Sequence, residues 1–83
     1  MIIKFTKHAL KRIEKRGTSK EEVIEAIETG NREPAQENKI MCKLNLPYNS
    51  IWMESFYPIK QVAPVIVEEG DEIIVITVYT FYF

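Results

Sequence analysis

One histidine and one arginine, four residues apart, are the side chains in this sequence best placed to do chemistry. His8 and Arg12 lie in the run FTKHALKRIEKRG, and an interval of four brings them to one side of a helix. Lys15 continues that stripe with Lys11 and Arg16 beside it, while Ala9, Leu10 and Ile13 point elsewhere. A neutral imidazole can take a proton from a hydroxyl, and a guanidinium can hold a phosphate through parallel N–H donors. The pair therefore suits RNA cleavage, in which a base takes the 2′-hydroxyl proton and a cation steadies the crowded phosphate. Lys11, Arg12, Lys15 and Arg16 are the candidate nucleic-acid contacts. The same residues also suit a module that grips phosphates without cutting, and a histidine and an arginine at this interval occur on many solvated helix faces.

Near the other end of the chain, Thr77 and Tyr79 are two residues apart in a strand-like run and so share one sheet face, with Ile74, Ile76 and Val78 expected on the other. Their hydroxyls are candidates to orient His8, which completes a catalytic set of His8, Arg12, Thr77 and Tyr79. Trp52, Phe56, Tyr57, Phe81, Tyr82 and Phe83 could stack on bases, although aromatics in so small a chain serve mainly the core and interfaces. One histidine and one cysteine are too few soft ligands for structural zinc. No glycine-rich phosphate loop is present, so neither metal nor cofactor is expected. Cys42 has no activating neighbours in sequence and reads as a small buried hydrophobe. The acids Glu68, Glu69, Asp71 and Glu72 flank Gly70 and read as solvated turn residues.

A chain of 83 residues, 46% hydrophobic and 28% charged, holds one folded domain and lies outside the low-hydropathy, high-charge regime of disorder. At this size a single core supplies only ~3–5 kcal/mol, and self-association as a homodimer is one way to add to it. The charge is unevenly spread. Lys4 to Arg16 hold six cations against one acid, a net +5, and the whole chain is at −1, which leaves −6 for the remainder. A basic face on an acidic body suits a polyanion such as RNA, or an acidic, antitoxin-like protein partner. The single cysteine permits no internal disulfide, and no apolar run nears the ~20 residues that span a bilayer, so the expectation is a soluble cytoplasmic protein with no membrane partner.

These groups need elements to hold them. The pattern predicts a helix over Thr6 to Arg16, capped by Thr6 and stopped by Gly17, and a second from the capping box Ser19-Lys-Glu-Glu22 to Thr29, closed by Gly30. β-branched and aromatic residues then predict strands over 32–35, 39–46, 51–56, 62–68 and 72–81. Turns are expected at Pro47-Tyr48-Asn49 and Tyr57-Pro58, with Pro58 and Pro64 at edge or irregular positions. The run IIVIT predicts that the last strand is central and buried on both faces. The fold class is α+β, with two N-terminal helices packed on one face of a mostly antiparallel four- to five-stranded sheet.

The opening FTKHALKRIEKRGTSKEEVIEAIETG and the closing IIVITVYT resemble the two ends of the domain of unknown function 4258 family. In that family a His-x-x-x-Arg helix, an Arg-Gly turn and a capping-box helix ending in Gly precede a last strand carrying Thr and Tyr. His8, Arg12, Arg16, Gly17, Gly30 and Thr77 fall on the matching positions. The order of elements is also similar to that of toxin ribonucleases of the RelE and BrnT type. That second resemblance implies a metal-independent, toxin-like endoribonuclease with His8 as general base or acid, Arg12 and Arg16 on the phosphate, and Thr77 or Tyr79 orienting the histidine. The competing readings are a non-catalytic binding module on the same basic helix and a structural partner that dimerises through its aromatic C-terminal strand.

Overall fold

The computed structural model describes residues Met1–Phe83. Two short helices follow a first strand, β1 (Ile2–Phe5). Helix α1 (Lys7–Lys15) starts where the Thr6 hydroxyl accepts from the Ala9 N–H, and α2 (Lys20–Thr29) starts where Ser19 accepts from Glu22 N–H, with Glu21 and Glu22 against the positive helix end. Between them Gly17 adopts φ +72° while Thr18 N–H reaches back to the Ile13 carbonyl, a left-handed C-terminal closure. The remaining strands are β2 (Asn31–Pro34), β3 (Ile40–Trp52), β4 (Ser55–Glu69) and β5 (Glu72–Tyr82).

All five strands form one sheet in the order β1-β5-β4-β3-β2, antiparallel except for β1 beside β5, and both helices pack on one of its faces. This is an α+β fold. The core joins Ala9 and Ile13 of α1 and Val23, Ala26 and Ile27 of α2 to Cys42, Val62, Ile66, Ile73, Val75 and Val78 of the sheet. No helix is long and apolar enough to cross a membrane.

Several expectations are corrected. The segment 51–56 is not a separate strand but the tip of a long hairpin: β3 runs through Pro47-Tyr48-Asn49, and β4 runs through Tyr57-Pro58. The chain reverses at Met53 and Glu54, both at positive φ (49° and 73°) without a glycine. Pro47 stays in register with Ile59 on a stretch of β3 that β2 does not reach, and Pro58 falls opposite the register shift between Pro47 and Ser50, so neither proline breaks its strand. The central strand is β4, whose Val62-Ala63-Pro64-Val65-Ile66 is buried throughout, rather than β5. Pro64 sits in its middle. Pairing with β3 passes from Met41↔Val65 to Leu44↔Val62 and skips the two positions between, so no ladder donor is required of the proline there. Leu10, which the helical period groups with Ala9 and Ile13 on the apolar side, is 37% exposed, because α1 lies on its Ala9–Ile13 line.

The hairpin tip folds back over the turn between the helices. Trp52 stacks on Tyr82 at 4.7 Å, Tyr48 meets Tyr82 edge-on at 5.1 Å, and this cluster covers Gly17. A Cβ on Gly17 would lie 2.5 Å from Trp52 Cζ3 and 2.7 Å from the Tyr82 hydroxyl. Gly17→Ala is therefore expected to cost at least ~2 kcal/mol, from left-handed strain plus overpacking, read as a lower urea midpoint at unchanged slope.

Candidate functional site

The site begins with an irregularity in β5. Val65 pairs with Thr77 and Ile66 with Val75, so Ile76 is an extra residue bulged out of the β4–β5 ladder. The bulge reverses the alternation. Ile73 and Val75 point to the helices before it and Val78 after it, leaving Thr77 and Tyr79 on the helix-free face. In an unbroken strand Thr77 would follow Ile73 and Val75 into the core, so re-aiming it is a physical consequence of the bulge. Ile74 and Ile76 consequently do not share a face with Val78, as simple alternation had implied.

The bulge also anchors α1. The Thr6 N–H donates to the Val75 carbonyl at 3.2 Å, and its hydroxyl donates to the freed Ile76 carbonyl at 3.1 Å while capping the helix. His8, two residues on, therefore meets Thr77, one residue on. Its Nε2 lies 3.0 Å from Thr77 Oγ1 and 3.5 Å from Arg12 Nε, and the histidine is exposed. A guanidinium can only donate, so this contact makes Nε2 the accepting nitrogen and places the ring hydrogen on Nδ1. The Thr77 hydroxyl then donates to the same nitrogen, and the proton-accepting atom is held at the mouth of the helix-free face.

Tyr79 makes no hydrogen bond to His8. Its ring carries the Arg16 guanidinium instead, with Cζ 4.9 Å from the ring centroid. The Arg16 carbonyl accepts hydrogen bonds from Thr80 Oγ1 and from the Tyr82 hydroxyl, both at 2.8 Å, which pins the end of α1 to β5. Burial pushes the Tyr82 hydroxyl up from its ordinary range and so keeps it a donor. Lys11 and Lys15 are exposed on α1 and make no hydrogen bond to His8, Thr77 or Tyr79. None of Lys7, Lys11, Arg12, Lys15 and Arg16 takes part in an ion pair. The structure thus brings His8, Arg12 and Thr77 together, sets Arg16 and Tyr79 beside them, and leaves Lys11 and Lys15 as open positive charge.

The anchor of the turn between the helices was not found from sequence. Lys60 on β4 is 6% exposed, and its ammonium lies 2.7 Å from Glu22 Oε1, 3.0 Å from the Gly17 carbonyl and 5.4 Å from the Tyr48 ring centroid. Thr18 completes the carboxylate's bonding at 2.9 Å. The signal was a lysine set in an apolar strand, where it must find a counter-charge. Cys42 is fully buried, and burial pushes its thiol up, which suits a packing residue better than a nucleophile.

A family model described as a domain of unknown function (DUF4258) matches residues 5–80. The chain belongs to the DUF4258 family. The match takes in both helices, the bulge, and every residue of the His8–Arg12–Thr77 cluster. No curated protein and no solved structure matches the chain, so the likeness of this DUF4258 chain to RelE-type toxins rests on its order of elements alone.

Proposed function

We propose that the protein is a metal-independent RNA endonuclease, and the observation that carries the reading is the convergence of Thr77 and Arg12 on one nitrogen of an exposed His8. His8 Nε2 takes the proton of a 2′-hydroxyl, the 2′-oxygen forms a bond to the adjacent phosphorus, and the bond from phosphorus to the 5′-oxygen breaks. The leaving oxygen takes a proton from water, and His8 later returns its own to solvent. Arg12 moves its guanidinium from the imidazole to the phosphate, where a charge-assisted bond is stronger, and Arg16 adds a second positive charge. Thr77 is a positioning residue: its hydroxyl holds the ring at Nε2 in the free protein and rotates its hydrogen away as the 2′-hydroxyl takes that nitrogen's lone pair.

The unpaired cations of α1 favour a second reading, in which the same face binds RNA or an acidic, antitoxin-like protein without chemistry. Product analysis separates the two. In EDTA the native protein is expected to leave 2′,3′-cyclic phosphate and 5′-hydroxyl ends, and an oligonucleotide with 2′-deoxyribose at the cut position should stay whole. Cleavage of the deoxy linkage, or a requirement for a divalent metal, contradicts the proposal.

A further inference from the structure

Beside Thr77 the helix-free face holds a hollow of about 350 Å³. Met41, Val65 and Ile76 line it with apolar surface, Tyr79 also lines it, and Gln36 and Lys39 from the β2–β3 turn stand at its border. Met41, Val65 and Thr77 are register partners across β3, β4 and β5, so they form one row on this face. Thr77 belongs both to this hollow and to the His8 cluster. The Gln36 amide is exposed and makes no side-chain bond within the protein, and Lys39 has only a loose contact with Glu37 at 3.9 Å.

We propose that this hollow receives one unpaired base of single-stranded RNA, on the nucleotide next to the phosphate held at His8 and Arg12. The inference rests on the ribonuclease reading and adds the substrate class to it. A nucleobase is flat and apolar on its faces and polar at its edge, which matches an apolar floor, a tyrosine ring and a free amide at the rim. Arg16 on Tyr79 and Lys39 across the hollow give the surroundings the positive charge that the flanking phosphates require. Thr77 and Tyr79 are two strand residues apart, ~7 Å, so the base and its phosphate are within reach of both sub-sites at once. A base in a duplex is stacked and paired and cannot enter, so the site selects single strands.

The test uses the full chain and 2′-O-methyl octaribonucleotides, which lack the attacking hydroxyl, with one abasic residue moved along the strand and binding read by anisotropy. Native protein is expected to lose affinity on the order of 10-fold at one abasic position and little at the others. Tyr79→Leu should flatten that profile while binding keeps its salt dependence. Gln36→Ala, on an exposed turn where folding is not at stake, should narrow the difference. A flat profile in the native protein, with salt-dependent binding intact, overturns the base site and leaves the ribonuclease reading standing. Failure of the native protein both to bind and to cut RNA overturns both. If Tyr79→Leu instead dissociates a dimer and leaves the abasic profile unchanged, the face serves a second copy of the chain and the base site is wrong.

Discussion

His8→Ala is expected to lower the rate of RNA cleavage by about 10²–10⁴-fold while leaving RNA affinity nearly unchanged. The asymmetry follows from geometry. His8 is exposed and makes no contact in the core, so its removal does not threaten the fold. Its Nε2 is the one accepting nitrogen directed at the site, whereas ground-state binding comes from Arg12, Arg16, Lys11 and Lys15, which the substitution spares. Thr77→Val should give a smaller loss, because it removes the hydroxyl that holds the ring but not the ring itself, and Thr77→Ser should restore the rate. Equal losses in binding and in rate for His8→Ala would mean that the histidine only grips RNA.

The largest effect on stability is expected from Ile66→Ala. Ile66 is wholly buried in the central strand, beside the bulge and on the helix-covered face of the sheet. Removing three of its carbons deletes transfer free energy and leaves a cavity, ~2–5 kcal/mol together, against a core that supplies only about 3–5 kcal/mol at this size. The variant should be largely unfolded at room temperature by circular dichroism. Ile76→Ala is the internal control. Ile76 is half-buried on the helix-free face, so its truncation should cost distinctly less. An order reversed in urea melts would contradict the placement of β4 at the centre.

Local signals carried much of this architecture. Thr6 and Ser19 as caps, Gly17 as a left-handed stop and the period of α1 all follow from near-neighbour chemistry, and the structure uses each of them. His8, Arg12 and Thr77 were identifiable as residue types at suitable spacings. What was hidden depends on contacts distant in sequence. The bulge at Ile76 leaves no mark in IIVIT, yet it decides that Thr77 faces His8 and not the core. Pro47 and Pro58 read as turn residues, and Pro64 as an edge or irregular position, because their missing donors could be judged only once the pairing of β3 with β4 was known. Thr77 and Tyr79 were alternative candidates to orient His8, and it is Thr77 that bonds to it while Tyr79 lies under Arg16, since a strand pattern gives the face of a side chain but not its partner. Lys60, Glu22 and the aromatic cap over Gly17 come together from β4, α2, β3 and β5, and no spacing rule joins them.

The most direct test sets native protein and His8→Ala side by side, each incubated in EDTA with the same 5′-labelled RNA and each shown to bind it. The account predicts a ladder of fragments from the native protein and intact RNA from the variant. Identical ladders, or RNA bound by the native protein and left whole, would contradict it.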